Sequence, residues 1–130
     1  MATTHQHPDR HEESHAERGP RCDVALSAAF AVLGKRWTGV ILGVLADGEA
    51  GFAELSRGVG GPISDSVLAA RLTELVTGGL VDRRVDTGPP IAVRYALTPT
   101  GQALIPALRE LGRWARDHLL TDTDNARVRR

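Results

Sequence analysis

The sequence predicts a mainly helical chain that carries one small β-wing. Apolar residues recur at helical spacing along most of the stretch from Asp23 to Leu119. Two short alternating segments, Val81 to Asp86 and Val93 to Leu97, flank the tip Thr87-Gly88-Pro89-Pro90. Across Phe52 to Leu97 the order is short helix, turn, helix, then a two-stranded ribbon. That is the order of a winged helix-turn-helix, which offers one exposed helix to a major groove and a basic arm beside it.

Each element has a local reason. Asp23 suits the cap of a first helix bearing Leu26, Ala29, Phe30 and Leu33, and Gly34 ends it. Lys35-Arg36 lead into a second helix with Trp37, Val40, Ile41, Val44 and Leu45 on one face, closed by the turn Asp47-Gly48. Phe52 to Ser56 reads as a short helix stopped by Gly58 and the run Gly60-Gly61-Pro62. Ser64 caps the next helix, whose buried stripe is Leu68, Leu72, Leu75 and Val76, with Ser66, Val67, Ala70, Thr73 and Glu74 outward and Arg71 at the edge. Gly78 or Gly79 ends it. Pro89-Pro90 forbid regular pairing, so the ribbon tip is a loop. Thr98 caps the last helix, with Pro99 at its first position and a stripe of Leu104, Leu108, Leu111, Ala115 and Leu119.

Composition sets outer bounds. At 130 residues the length suits one domain, and apolar content is ordinary. No apolar run is long enough to cross a bilayer and the N-terminus has no apolar signal core, so a cytoplasmic protein without membrane contact is expected. Sixteen basic and sixteen acidic residues leave no net charge. Phosphate binding needs clustered cations, so their distribution matters more than the total. Residues 1 to 20 are polar and His-rich and read as a disordered arm, in which His11 and His15 are expected to be solvated rather than metal ligands. Residues 121 to 130 read as a frayed tail. The single cysteine, Cys22, excludes an internal disulfide.

Read in order, Cys22-Asp23, Gly34-Lys35-Arg36-Trp37-Thr38, Ile41-Leu42, Phe52-Ala53-Glu54-Leu55, Ile63-Ser64, Val67-Leu68, Arg71-Leu72, Leu75, Gly79-Leu80-Val81, Val93-Arg94-Tyr95, Leu97-Thr98 and Gly101 resemble the HxlR-type regulators, MarR-related winged helix-turn-helix proteins. The resemblance spans about residues 21 to 120. It implies a homodimer joined through the first and last helices, here Leu26, Phe30, Leu104, Leu108, Leu111 and Trp114. It further implies two recognition helices in successive major grooves and, in some members, a sensing cysteine just before the first helix, the place of Cys22. The chain departs from the pattern at Asp65, where many relatives place a lysine, at the apolar pair Ala69-Ala70, and in a wing tip without a basic residue.

The expected DNA-binding residues are Ser64, Ser66, Val67, Ala70 and Arg71 on the exposed helix, Lys35 and Arg36 before the second helix, and Arg83 and Arg94 on the wing. Each has a plainer alternative. Ser64 serves equally as a cap, Arg71 as an ion-pair partner of Glu74 or Glu54, and the wing arginines as a solvated face. For Cys22, Arg21 and the following helix N-terminus favour the reactive thiolate, while Asp23 opposes it.

A dimeric, sequence-specific repressor is therefore expected, occluding a pseudo-palindromic double-stranded operator and relieved by an oxidant or electrophile at Cys22 or by a small molecule at the dimer interface. The competing class is a winged-helix protein-interaction module that touches no DNA, which the neutral charge and Asp65 suit. No catalytic set, metal site or cofactor is expected. No nucleophile and base are paired, and Gly58-Val59-Gly60-Gly61 follows no strand as a phosphate loop would.

Overall fold

The computed structural model describes residues 23–120. The His-rich arm, Cys22 and the segment 121–130 lie outside the described residues. The chain divides into two compact units, Met1–Arg36 and Trp37–Arg130. In the first, α1 spans Asp23–Leu33. Its described part begins at Asp23, and the Gly34 N–H donates to the Phe30 carbonyl at 2.7 Å. Leu26 and Phe30 are 57% and 56% exposed, so α1 carries an exposed apolar face.

The second unit runs α2 (Thr38–Leu45), β1 (Ala50–Gly51), α3 (Phe52–Val59), α4 (Asp65–Thr77), β2 (Val81–Asp86), β3 (Ala92–Leu97) and α5 (Pro99–His118). The core centres on α2, which packs against α3, α5 and β3. Ile41, Leu42, Leu45, Leu55, Leu68, Leu72 and Val81 are its fully buried side chains, each worth about 1.5–3 kcal/mol of hydrophobic stabilisation. A helix gripped from several sides buries more than one stripe. Leu42, off the expected face of α2, is sealed, whereas Val40, expected on it, is exposed. The entry to α2 is strained. Trp37 takes φ +80°, a left-handed conformation disfavoured for a bulky residue. Its indole lies over Gly61, where an added Cβ would stand 2.6 Å from the ring.

The sheet corrects the expectation of a two-stranded ribbon: it has three antiparallel strands in the order β1-β3-β2. Ala50 and Gly51 pair with Tyr95 and Arg94. The ribbon itself pairs Val81 with Leu97 at its root and Asp86 with Ala92 at its end. Only Val81 of β2 is buried, so the wing stands out from the core. The helix α3 also runs further than expected, through Gly58 to Val59, and closes on Gly60 at φ +70°.

The helix α5 begins as the sequence indicates, with Thr98 as cap and Pro99 in its first turn. Its buried residues are Gly101 and Ile105, not the expected leucine stripe. Leu104 and Leu108 are half-buried, and Leu111, Trp114 and Leu119 are 47%, 51% and 62% exposed. One side of α5 therefore packs on the core and an adjoining apolar side faces outward. At Thr98 four elements meet. The Thr98 hydroxyl donates to the Gly79 carbonyl at 2.6 Å and accepts from the Gly101 N–H at 3.1 Å. The Thr98 N–H donates to the Leu80 carbonyl at 3.0 Å.

Glycines in two helices are expected to respond oppositely to alanine. A Cβ at Gly101 would stand 2.2 Å from the Leu80 carbonyl oxygen, whereas Gly43 has nothing within 4 Å. Gly101→Ala is expected to destabilise by about 1–3 kcal/mol through overpacking. Gly43→Ala is expected to stabilise by about 0.5–1 kcal/mol through helix propensity. Urea unfolding measures both.

Candidate nucleic-acid interface

The helix-turn-helix is α3 and α4, with the turn at 60–64. Ser64 sits in an extended conformation and its Oγ accepts from the Val67 N–H at 3.2 Å, so it is the N-cap of α4. The same hydroxyl lies 3.2 Å from Ser66 Oγ. Leu68, Leu72 and Leu75 tie α4 down, which turns Asp65, Ser66, Ala69, Ala70, Thr73 and Glu74 outward. Val67 and Arg71 lie half-buried at the edges of that face. The exposed face at the start of α4 thus holds two hydroxyls, two alanine methyls and one carboxylate. Hydroxyls reach phosphates and base edges, and methyls suit the thymine methyl. Asp65 favours the positive end of the helix dipole while repelling phosphate. Thr73 spends its hydroxyl on the Ala69 carbonyl at 2.9 Å.

Arg71 does not stand free. Its Nη1 pairs with Glu74 Oε1, one turn along, and its side chain is only 20% exposed. The ion-pair alternative for Arg71 is thus realised in the protein by itself, while its buried Nε has no hydrogen-bond partner among the described residues.

The wing arginines divide. Arg94, expected to reach DNA, is held by its own chain: Nε donates to Glu49 Oε1 at 3.0 Å, Nη1 to Glu54 Oε1 at 3.3 Å, and Nη2 to the Glu49 carbonyl at 3.3 Å. Arg84 Nη1 donates to Glu49 Oε2 at 3.3 Å. Arg84 and Arg94 stand directly opposite each other on the two strands. Like charges there repel, and Glu49 bridges them. Sequence reasoning missed Glu49 entirely, because its partners lie 35 and 45 residues away. Arg83, on the other face of the ribbon, is exposed and makes no ion pair among the described residues. Lys35 and Arg36 belong to the first unit and are exposed. Cys22 lies outside the described residues.

Of the residues expected at a dimer contact, Leu26, Phe30, Leu111 and Trp114 are about half exposed or more, while Leu104 and Leu108 are half-buried. Leu108 lines a groove of about 470 Å³ between α2 and α5, with Gly39, Gly43, Ile105, Arg109 and Gly112. Among the described residues no three His, Cys, Asp or Glu side chains converge as a metal site, and no single helix is long and apolar enough to cross a membrane.

Comparison with known proteins agrees with this geometry. The HxlR-like helix-turn-helix family model matches residues 32–123. The HTH-type transcriptional regulator YodB of Bacillus subtilis (strain 168) is 41% identical over 90 residues, 69% of this chain and 80% of that protein. The solved reduced form of YodB from B. subtilis matches with a TM-score of 0.66 at 39% identity, across 73% of this chain and 92% of the other. The redox regulator HypR in its oxidised form matches with a TM-score of 0.68 at 28% identity, across 75% of this chain and 99% of the other.

Two substitutions separate the two jobs of Ser64. Ser64→Ala is expected to cost about 1 kcal/mol by leaving the Val67 N–H without its cap, and Ser64→Asp, an equally good cap, to cost almost nothing. Thermal unfolding of the two variants checks this.

Proposed function

This chain belongs to the HxlR-like helix-turn-helix family of transcriptional regulators, and we propose that it acts as a homodimeric repressor which binds a pseudo-palindromic operator through α4. The observation that carries the proposal is the surface of α4. Three buried leucines anchor it, and its opening turn presents Ser64 and Ser66 outward beside a projecting wing. Ser64, Ser66, Val67 and Ala70 would meet base edges and phosphates in the major groove, and Arg83 would meet the flanking backbone. Arg71 would reach phosphate only after exchanging Glu74 for it. Lys35 and Arg36 are further backbone contacts in this proposal. Two such surfaces in one dimer would read half-sites one helical turn apart.

Dimerisation through Leu26 and Phe30 of α1 and Leu104, Leu108, Leu111 and Trp114 of α5 is supported by the exposure of most of these side chains in the single chain. Exposed apolar faces on helices mark contact surfaces in soluble proteins. For the signal we favour oxidation or alkylation of Cys22, which directly precedes α1. YodB and HypR are similar proteins whose structures are of reduced and oxidised forms. As the only cysteine, Cys22 would join the partner's copy or a small thiol. A small molecule in the groove between α2 and α5 is the second choice, supported by its volume of about 470 Å³.

The test is binding of purified protein to its own upstream DNA and to scrambled DNA, across a salt series, with and without diamide. Specific binding that falls steeply with salt is expected. Diamide should abolish it in the wild type and spare it in Cys22→Ser. Ser64→Asp, as stable as wild type, should lose specific binding because it sets a carboxylate against phosphate. Wild-type protein that selects no sequence even from a random pool would return the chain to the protein-interaction class.

A further inference from the structure

We propose that Glu49 and Glu54 are positioning residues for DNA recognition: by holding Arg94 they set the angle at which the β2–β3 wing stands beside α4. This rests on the DNA-binding function proposed above.

The third strand stops where the network begins. β1 supports β3 only at Tyr95 and Arg94, and towards the tip the ribbon has two strands alone. Every β2 residue beyond Val81 is exposed, so core packing does not fix the direction of the wing. The β2–β3 ladder fixes one strand to the other but not the ribbon to the helices. Side chains must do that, and they do so at Arg94. Its guanidinium spans from the ribbon to Glu49, which precedes β1, and to Glu54 in the first turn of α3. Glu49 also takes Arg84, so both strands of the wing are tied to one carboxylate. Glu54 is itself located, because the same Oε1 accepts from the Gly51 N–H at 3.3 Å at the start of α3. The wing is thus braced against the first helix of the helix-turn-helix.

Single exposed ion pairs are weak, but a planar guanidinium with three located acceptors has one orientation. Two carboxylates beside a DNA-facing wing carry an electrostatic penalty against phosphate. That penalty makes the sign of a neutralising substitution diagnostic. If Arg94 is a DNA ligand restrained by its neighbours, removing a carboxylate frees it and strengthens binding. If the carboxylates position the wing, removing one weakens binding although the protein becomes more positive.

The experiment measures operator affinity and its salt dependence for the full chain and for Glu49→Gln, Glu54→Gln, Arg94→Met and the double variant Glu49→Gln/Arg94→Met. Glutamine at 54 keeps an oxygen for the Gly51 N–H. Each carboxamide variant is expected to bind about three- to tenfold more weakly, and the double variant no more weakly than Arg94→Met, as for residues acting in one network. The salt slope stays at the wild-type value. Tighter binding by Glu49→Gln, or a slope reduced by about one in Arg94→Met, would identify Arg94 as a phosphate ligand and overturn the proposal. A readout without DNA accompanies it: amide hydrogen exchange in 83–86 and 92–95 is expected to quicken in Glu49→Gln, relative to α4, at unchanged melting temperature. Unchanged exchange also overturns the proposal. If the wild type selects no DNA, the DNA-binding function itself fails, and exchange alone decides whether the carboxylates hold the wing.

Discussion

The fold depends on a junction a few ångströms across, centred on Thr98. The end of α4, the start of β2, the end of β3 and the start of α5 all meet there. One hydroxyl donates to the Gly79 carbonyl and accepts from the Gly101 N–H, and the neighbouring backbone closes onto Leu80. The Gly101 N–H belongs to the first turn of α5 and would otherwise lack a partner within its helix. Gly101 lets the last helix approach until backbone meets backbone. Move this junction and the recognition helix, the wing and α5 lose their common reference together. The wing is long and exposed, so its direction is set where it is rooted, first at Thr98 and then at Arg94.

The charge of the chain is organised by the same economy. A neutral protein that binds a polyanion must keep its cations where they count. Here Arg71, Arg84, Arg94 and Arg113 are each partnered by a glutamate. Among the described residues, that leaves Arg83 as the wing arginine without an ion pair. Under the proposed function, affinity would draw on few phosphate contacts, and discrimination would rest on the hydroxyls and methyls that flank Asp65 at the start of α4. Hydroxyls and methyls in a groove reward the correct base sequence without rewarding every duplex equally.

What the sequence makes legible is whatever is decided within a few residues. Ser64 as a cap, Leu68, Leu72 and Leu75 as one stripe, Gly78-Gly79 as a stop, and Thr98-Pro99 as a start all follow from spacing and local chemistry, and the structure has each of them. The two residues of β1 were illegible, because Ala50-Gly51 carries no strand pattern and pairs only because β3 passes beside it. The burial of Leu42 and Ile105 is not legible either, because it reflects which neighbours surround α2 and α5, not the period of either helix. Within the candidate site, the outward face of α4 could be read from periodicity. The state of the arginines could not: Arg94 looks like a DNA contact until Glu49 and Glu54 arrive from elsewhere in the chain.

The contact between Trp37 and Gly61 bears on which sequences can descend from this one. The indole occupies the space that any side chain at 61 would need. The turn between α3 and α4 therefore cannot gain even a methyl until the residue at 37 shrinks or swings away. Trp37 already holds a left-handed backbone, so its own replacements favour residues that tolerate that conformation, glycine and asparagine foremost. The two positions form a ratchet in mutational order: a change at 37 opens 61, whereas a change at 61 made first meets the ring.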